Sequence, residues 1–179
     1  MKVRNSVLLA SSIMVASLAL SSHAAAQQEQ RDSMAGCPMH EQHMAEMNQR
    51  GDRAMGFDDM KTTHHFRLLT DGGAIEVTAN DPKDTTSRDQ IRKHLAGIAK
   101  MFASGDFAKP LAVHGEIPPG ADAMSRLKDS ITYTFEATDG GGRVRIKTGD
   151  SDALAAVHAF LRFQITEHQT GDPMEVANR

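Results

Sequence analysis

The chain of 179 residues has no tryptophan, a single tyrosine and a single cysteine. With aromatic residues at only 4 %, its core has to rest on Ile, Leu, Val, Met and seven Phe. The lone Cys37 excludes an internal disulfide, so in an oxidising compartment it is left as a metal ligand, an intermolecular link or a redox group. Catalytic motifs are missing too: there is no C-x-x-C, H-E-x-x-H or G-x-S-x-G. The Gly-rich stretch 138–142 lacks the strand, G-x-G-x-x-G, helix order of a dinucleotide site and the Lys-Ser/Thr of a P-loop, and reads as a hairpin turn. Clustered Lys and Arg are also lacking, which argues against nucleic acid or an anionic membrane surface as partner. The longest apolar run, 7–20, is broken by serines and is shorter than the roughly 20 apolar residues a bilayer-spanning helix needs.

That run follows a basic start with Lys2 and Arg4 and ends in Ala24-Ala25-Ala26, the three-part pattern of a cleavable secretory signal. We therefore expect residues 1–26 to be removed and the mature protein to be periplasmic or secreted, with no lipobox cysteine and no membrane anchor. Of the 20 Lys and Arg, removal of Lys2 and Arg4 leaves 18 against 23 Asp and Glu, a formal charge of −5. The remainder fits one domain.

Residues 27–61 are polar and rich in Met and His, without sustained apolar periodicity, and are interrupted by Gly36, Pro38, Gly51 and Gly56; they read as a flexible arm. From Thr62 the pattern becomes that of a β-hairpin, with Phe66 and Leu68, then Ile75, Val77 and Ala79, alternating around Thr70-Asp71-Gly72-Gly73. A helix over 87–103 follows, with Ile91, Leu95, Ile98 and Phe102 at three- and four-residue spacing. The same grammar returns with Ile131, Tyr133 and Phe135, the turn Thr138-Asp139-Gly140-Gly141, Val144 and Ile146, and a helix over 152–168. This is a duplicated β-hairpin-plus-helix unit. Two such hairpins joined edge to edge give an α+β fold: a four-stranded antiparallel sheet with helices packed on one face, filling a single domain over 62–172 with a tail at 173–179. The connector 109–128 is expected to hold a strand over 111–114, a Pro118-Pro119-Gly120 turn and a short helix with Met124 and Leu127.

Two groups of residues could carry chemistry. In the arm, Cys37, Met39, His40, His43 and Met44 stand within eight residues, among Met34, Met47, Met55 and Met60. Thiolate and thioether are soft donors that favour Cu(I), and imidazole suits copper and zinc alike. The plain alternative is a tether whose methionines are incidental. In the domain, His94 shares the apolar stripe of the first helix, and His158 that of the second, which His168 extends. His64 shares the helix-facing side of the first strand with Phe66 and Leu68. His64, His94 and His158 are therefore expected to meet in one interface, as metal ligands or as hydrogen-bonded core histidines. His65 should face outward and His114 should lie at a loop-like strand end.

The Cys37-Pro38-Met39-His40 core resembles the short heavy-metal-binding motif of copper-efflux adaptors and copper-transporting ATPases, although Gly36 and Glu41 stand where that motif has an aromatic and a proline. The stretch 61–172, with Thr62-Thr63-His64-His65-Phe66, Ile75-Glu76-Val77-Thr78-Ala79-Asn80-Asp81 and Phe160-Leu161-Arg162-Phe163-Gln164, resembles a set of small exported bacterial proteins of unestablished role. Some of these are labelled aspartate carbamoyltransferase. That enzyme has two α/β domains of about twice this length and a Ser-Thr-Arg-Thr phosphate loop, which this sequence lacks, so the label does not carry over.

These readings converge on a periplasmic metal-binding protein that buffers or transfers copper, or zinc, in metal homeostasis and hands it to another periplasmic metal-handling protein. The alternative is a non-enzymatic interaction or small-ligand-binding domain with structural histidines. A haem held by His94 and His158 is a variant, without a C-x-x-C-H attachment.

Overall fold

The computed structural model describes residues 38–177, so residues 1–37, and with them Cys37, and residues 178–179 lie outside the described residues. The first element is a helix, α1 (Pro38–Met55), where the polar sequence had suggested an irregular arm. Proline at its first position already has the φ a helix requires and gives up an N–H that would have no intrahelical partner. Among its residues, Met47 and Gly51 are buried and Met39 is 80 % exposed, whereas the side chains of His40, His43 and Met44 are outside the described set.

After a single 3-10 turn (Asp59–Lys61) come β1 (Thr62–Leu69) and β2 (Gly72–Ala79), paired antiparallel with Phe66 opposite Ile75. Helix α2 (Thr85–Ala103) follows, capped by Asp84, whose carboxylate accepts from the Ser87 N–H at 2.9 Å. The second unit comprises β3 (Ile131–Ala137), β4 (Gly141–Thr148) and α5 (Ser151–Glu167), the last capped by Asp150. The sheet order is β1-β2-β4-β3: the hairpins join through β2 and β4, with Ile75 opposite Val144. This is the four-stranded antiparallel α+β sheet expected from the duplicated pattern.

Alternation decides which side chains face the helices. Phe66, Leu68, Ile75, Val77, Val144 and Ile146 are buried against Ile91, Leu95, Ile98 and Phe102 of α2 and Val157, Phe160, Leu161 and Ile165 of α5. The opposite face carries Arg67, Glu76, Glu136, Arg143 and Arg145, with Arg143 bridging Glu136 at 2.5 Å and Glu76 at 3.2 Å. The helices are exchanged between units. Helix α2 packs mainly on β3 and β4, and α5 packs more on β1 and β2 than on β4. Each hairpin thus buries its apolar face under the helix of the other unit, so neither unit is complete alone.

The connector corrects one expectation. Residues 108–114 form a helix, α3 (Ala108–His114), and not a strand. Pro110 sits in its first turn, where a missing N–H costs nothing, and Gly115 ends it at φ 76°, a left-handed conformation natural to glycine. The short helix expected around Met124 is present as α4 (Ala121–Arg126), with Met124 fully buried. At the other end the chain returns to the sheet edge, where the Ala177 N–H donates to the Leu68 carbonyl at 2.9 Å.

Candidate functional site

Four histidines from four elements line one small, partly open cavity of about 70 Å³. Its remaining wall is almost wholly apolar, including Phe66, Val77, Leu95, Phe102 and Phe160, with Gln164 and Lys109 as its other polar residues. His64 comes from the helix-facing side of β1, His94 from α2, His114 from the last position of α3, and His168 from the residue that caps the C-terminus of α5.

The rings form a connected row. His64 and His168 lie with centroids 5.5 Å apart and planes within 14°, and His114 stands edge-on to His168 at 5.2 Å. Phe57 links the other end, stacked 6.3 Å from His64 and edge-on to His94 at 5.5 Å. Burial is the main reason these imidazoles resist a proton, because the charged form loses its hydration there. Burial, and then the neighbouring His65, push His64 down to about 4. For His94 the value is also about 4, through burial and then Lys109 and His64, against an opposing backbone hydrogen bond at Met55. His168 falls to about 3 through burial, then His64 and His114. His114 is lowered as well, mainly by burial. All four are neutral at pH 7.

Neutral imidazoles need partners for their nitrogens, and the supply is uneven. His64 Nδ1 lies 3.4 Å from an Asp59 carboxylate oxygen. His114 Nε2 lies 3.1 Å from Gln164 Oε1; with the amide oxygen as acceptor, Nε2 carries the proton and Nδ1 keeps a lone pair. Among the described residues that Nδ1 and the Gln164 side-chain nitrogen have no hydrogen-bond partner, and each residue is only 5 % exposed.

Of the three histidines expected to meet, the structure brings His64 and His94 to the same cavity and sets His158 apart. The His158 Nε2–H donates to the Leu69 and Gly72 carbonyls, 3.0 Å from each, and so ties α5 to the first hairpin turn. Its place beside the cavity is taken by His168, which the helical stripe had pointed to, and by His114, which had been assigned to a strand end. The signal for His114 was local: Pro110 and Val113 are three residues apart, and Gly115 supplies a helix stop. His65 faces outward as expected, with Nδ1 2.9 Å from Asp172 Oδ1.

Among the described residues no group of three or more His, Cys, Asp or Glu is arranged to hold a metal ion. In the arm, Met39 is exposed and Cys37 is outside the description. No helix among the described residues is long and apolar enough to cross a membrane. No protein-family model, no curated protein and no solved structure matches the chain.

Proposed function

We propose that this chain is an exported metal-binding protein that captures copper with Cys37, Met39, His40, His43 and Met44 and buffers it or passes it to another metal-handling protein of the same compartment. The observation that carries the reading is Met39, a large apolar side chain left 80 % exposed in the first turn of α1, next to the Cys37-Pro38 step. A methionine there contributes nothing to the core, but its thioether is a soft donor that an oxidising compartment leaves usable. A helix rises about 1.5 Å per residue, so the backbone positions from Met39 to Met44 fall within about 8 Å along the axis. Donors that close let a few side-chain rotations surround one ion. The apparent signal peptide of residues 1–26 supports a periplasmic or secreted location.

The test is a Cu(I) titration of the mature chain against a competing chromophoric chelator, with a variant in which these five residues are Ala or Ser. Tight binding at defined stoichiometry that disappears in the variant supports the proposal. Binding that persists moves the site to the histidine-lined cavity, and no competition by either protein rules copper out.

A further inference from the structure

We infer that the chain forms a twofold dimer through its β3 edge, with Thr134 of one copy opposite Thr134 of the other, so that two four-stranded sheets join into one. This interface is separate from the copper proposal and shares no residue with it.

The two edges of the sheet differ. Along β1, the outward Phe66 N–H donates to Asp172 Oδ2 at 2.9 Å, and the outward Leu68 carbonyl accepts from the Ala177 N–H at 2.9 Å. Along β3, the direction of the backbone groups follows from the hairpin turn, where Thr138 and Gly141 exchange both backbone hydrogen bonds. Hydrogen-bonded and non-hydrogen-bonded pairs alternate from there. Thr132, Thr134 and Glu136 therefore point their backbone groups at β4, and Ile131, Tyr133, Phe135 and Ala137 point theirs away from the sheet. The Ile131 N–H is taken by the Lys128 carbonyl. Among the described residues nothing pairs with the outward groups of Tyr133, Phe135 and Ala137.

Composition points the same way. A strand left at a sheet edge is ordinarily guarded by proline, lysine, a bulge or a covering segment. Strand β3, Ile-Thr-Tyr-Thr-Phe-Glu-Ala, has neither proline nor lysine and pairs with β4 without a bulge. Its β-branched and aromatic residues suit a paired strand. Thr132, Thr134 and Ala137 are exposed, and Tyr133 and Phe135 are only partly buried.

A second copy is the fitting occupant because β3 matches itself. A twofold axis perpendicular to the sheet at Thr134, the middle of the strand, sets two copies antiparallel and keeps every side chain on its own face. The outward backbone groups then meet in pairs, Tyr133 with Phe135 and Ile131 with Ala137, giving about six hydrogen bonds with the engaged Ile131 N–H left out. On the helix-facing side, Tyr133 of each copy closes on Phe135 of the other as a cross-strand aromatic pair. On the open side Glu136 falls opposite Thr132 of the second copy, whose other neighbour is Lys147. The row across the join thus runs Arg143, Glu136, Thr132, Lys147, with opposite charges on its two sides and no like charges opposed. Registers centred on Tyr133 or Phe135 would leave two residues of each strand beyond the overlap.

The experiment uses the mature chain with a metal chelator present, which keeps copper from bridging copies. Sedimentation equilibrium should give a dimer that dissociates on dilution. Thr134→Lys places two ammonium groups face to face at the axis from an exposed position, and should give a monomer with an unchanged circular dichroism spectrum. Register is read by disulfides in a Cys37→Ser background. Thr134→Cys should cross-link two copies on mild oxidation, because directly opposite non-hydrogen-bonded residues have Cα atoms about 4.5 Å apart. Thr132→Cys, exposed on the same face but about 14 Å from its counterpart, should not. The inference is overturned if the mature chain is monomeric at every concentration, if Thr134→Lys stays dimeric, or if Thr134→Cys cross-links no more than Thr132→Cys. A monomer whose Tyr133 and Phe135 amides are nonetheless protected from hydrogen exchange would overturn it too, and give the edge to another segment of the chain.

Discussion

The imidazoles of His64 and His168 face each other across the core with ring centroids 5.5 Å apart and planes within 14°. One comes from the first strand and the other from the end of the last helix, so this contact closes the domain between its two ends. It also concentrates buried, uncharged bases in one region.

The first prediction concerns acid. In the unfolded chain an imidazole takes a proton near pH 6.5, whereas folded His64 and His94 wait until about pH 4 and His168 until about pH 3. Between those limits the unfolded state binds more protons, so stability is full above about pH 6.5 and falls as the pH drops. Three such groups give a slope of about 4 kcal/mol per pH unit near pH 5. Urea unfolding at pH 7, 6 and 5 should show this loss, and His168→Leu should flatten it. Equal stability at pH 7 and pH 5 would contradict the burial argument.

His158 separates a structural histidine from a ligand. Its Nε2–H supplies the Leu69 and Gly72 carbonyls, so His158→Ala should cost about 1–2 kcal/mol in denaturant unfolding. Copper affinity measured by chelator competition should be unchanged in the same variant. A loss of metal binding without a loss of stability would return His158 to the ligand set.

Gly120 tests the packing of the connector. Its φ of 86° is left-handed, and a Cβ there would lie 2.2 Å from the Ala156 carbonyl oxygen on α5. Gly120→Ala should therefore destabilise by about 2 kcal/mol or more, since the backbone of α4 would have to move off α5. Thermal unfolding reads this directly, and an unchanged midpoint would mean that α4 does not pack so closely.

The sheet was legible in the sequence because strand alternation and turn chemistry agree at both hairpins, from Phe66 and Ile75 to Tyr133 and Val144. The two long helices were legible for a similar reason: Ile91, Leu95, Ile98 and Phe102 are all buried, as their spacing requires. Helix α3 was not, because Leu111 and Val113, two residues apart, fit a short strand as well as a helix and only Pro110 and Gly115 tell them apart. Helix α1 was hidden because its sequence shows no apolar stripe, although Met47 is buried within it. For the site, periodicity placed His64 and His94 on inward faces. It could not place His158, whose half-buried position beside the hairpin turn depends on where α5 crosses the sheet. The exchange of helices between the two units is likewise invisible to local pattern, because each helix looks the same whichever hairpin it covers.

The most direct test of copper capture by the arm is X-ray absorption at the copper edge of the Cu(I)-loaded mature chain. The account predicts sulfur in the first coordination shell, from Cys37 with Met39 or Met44, and its loss when these three residues are changed to Ala or Ser. A first shell of nitrogen alone, unchanged in that variant, would contradict it and place the metal among the imidazoles.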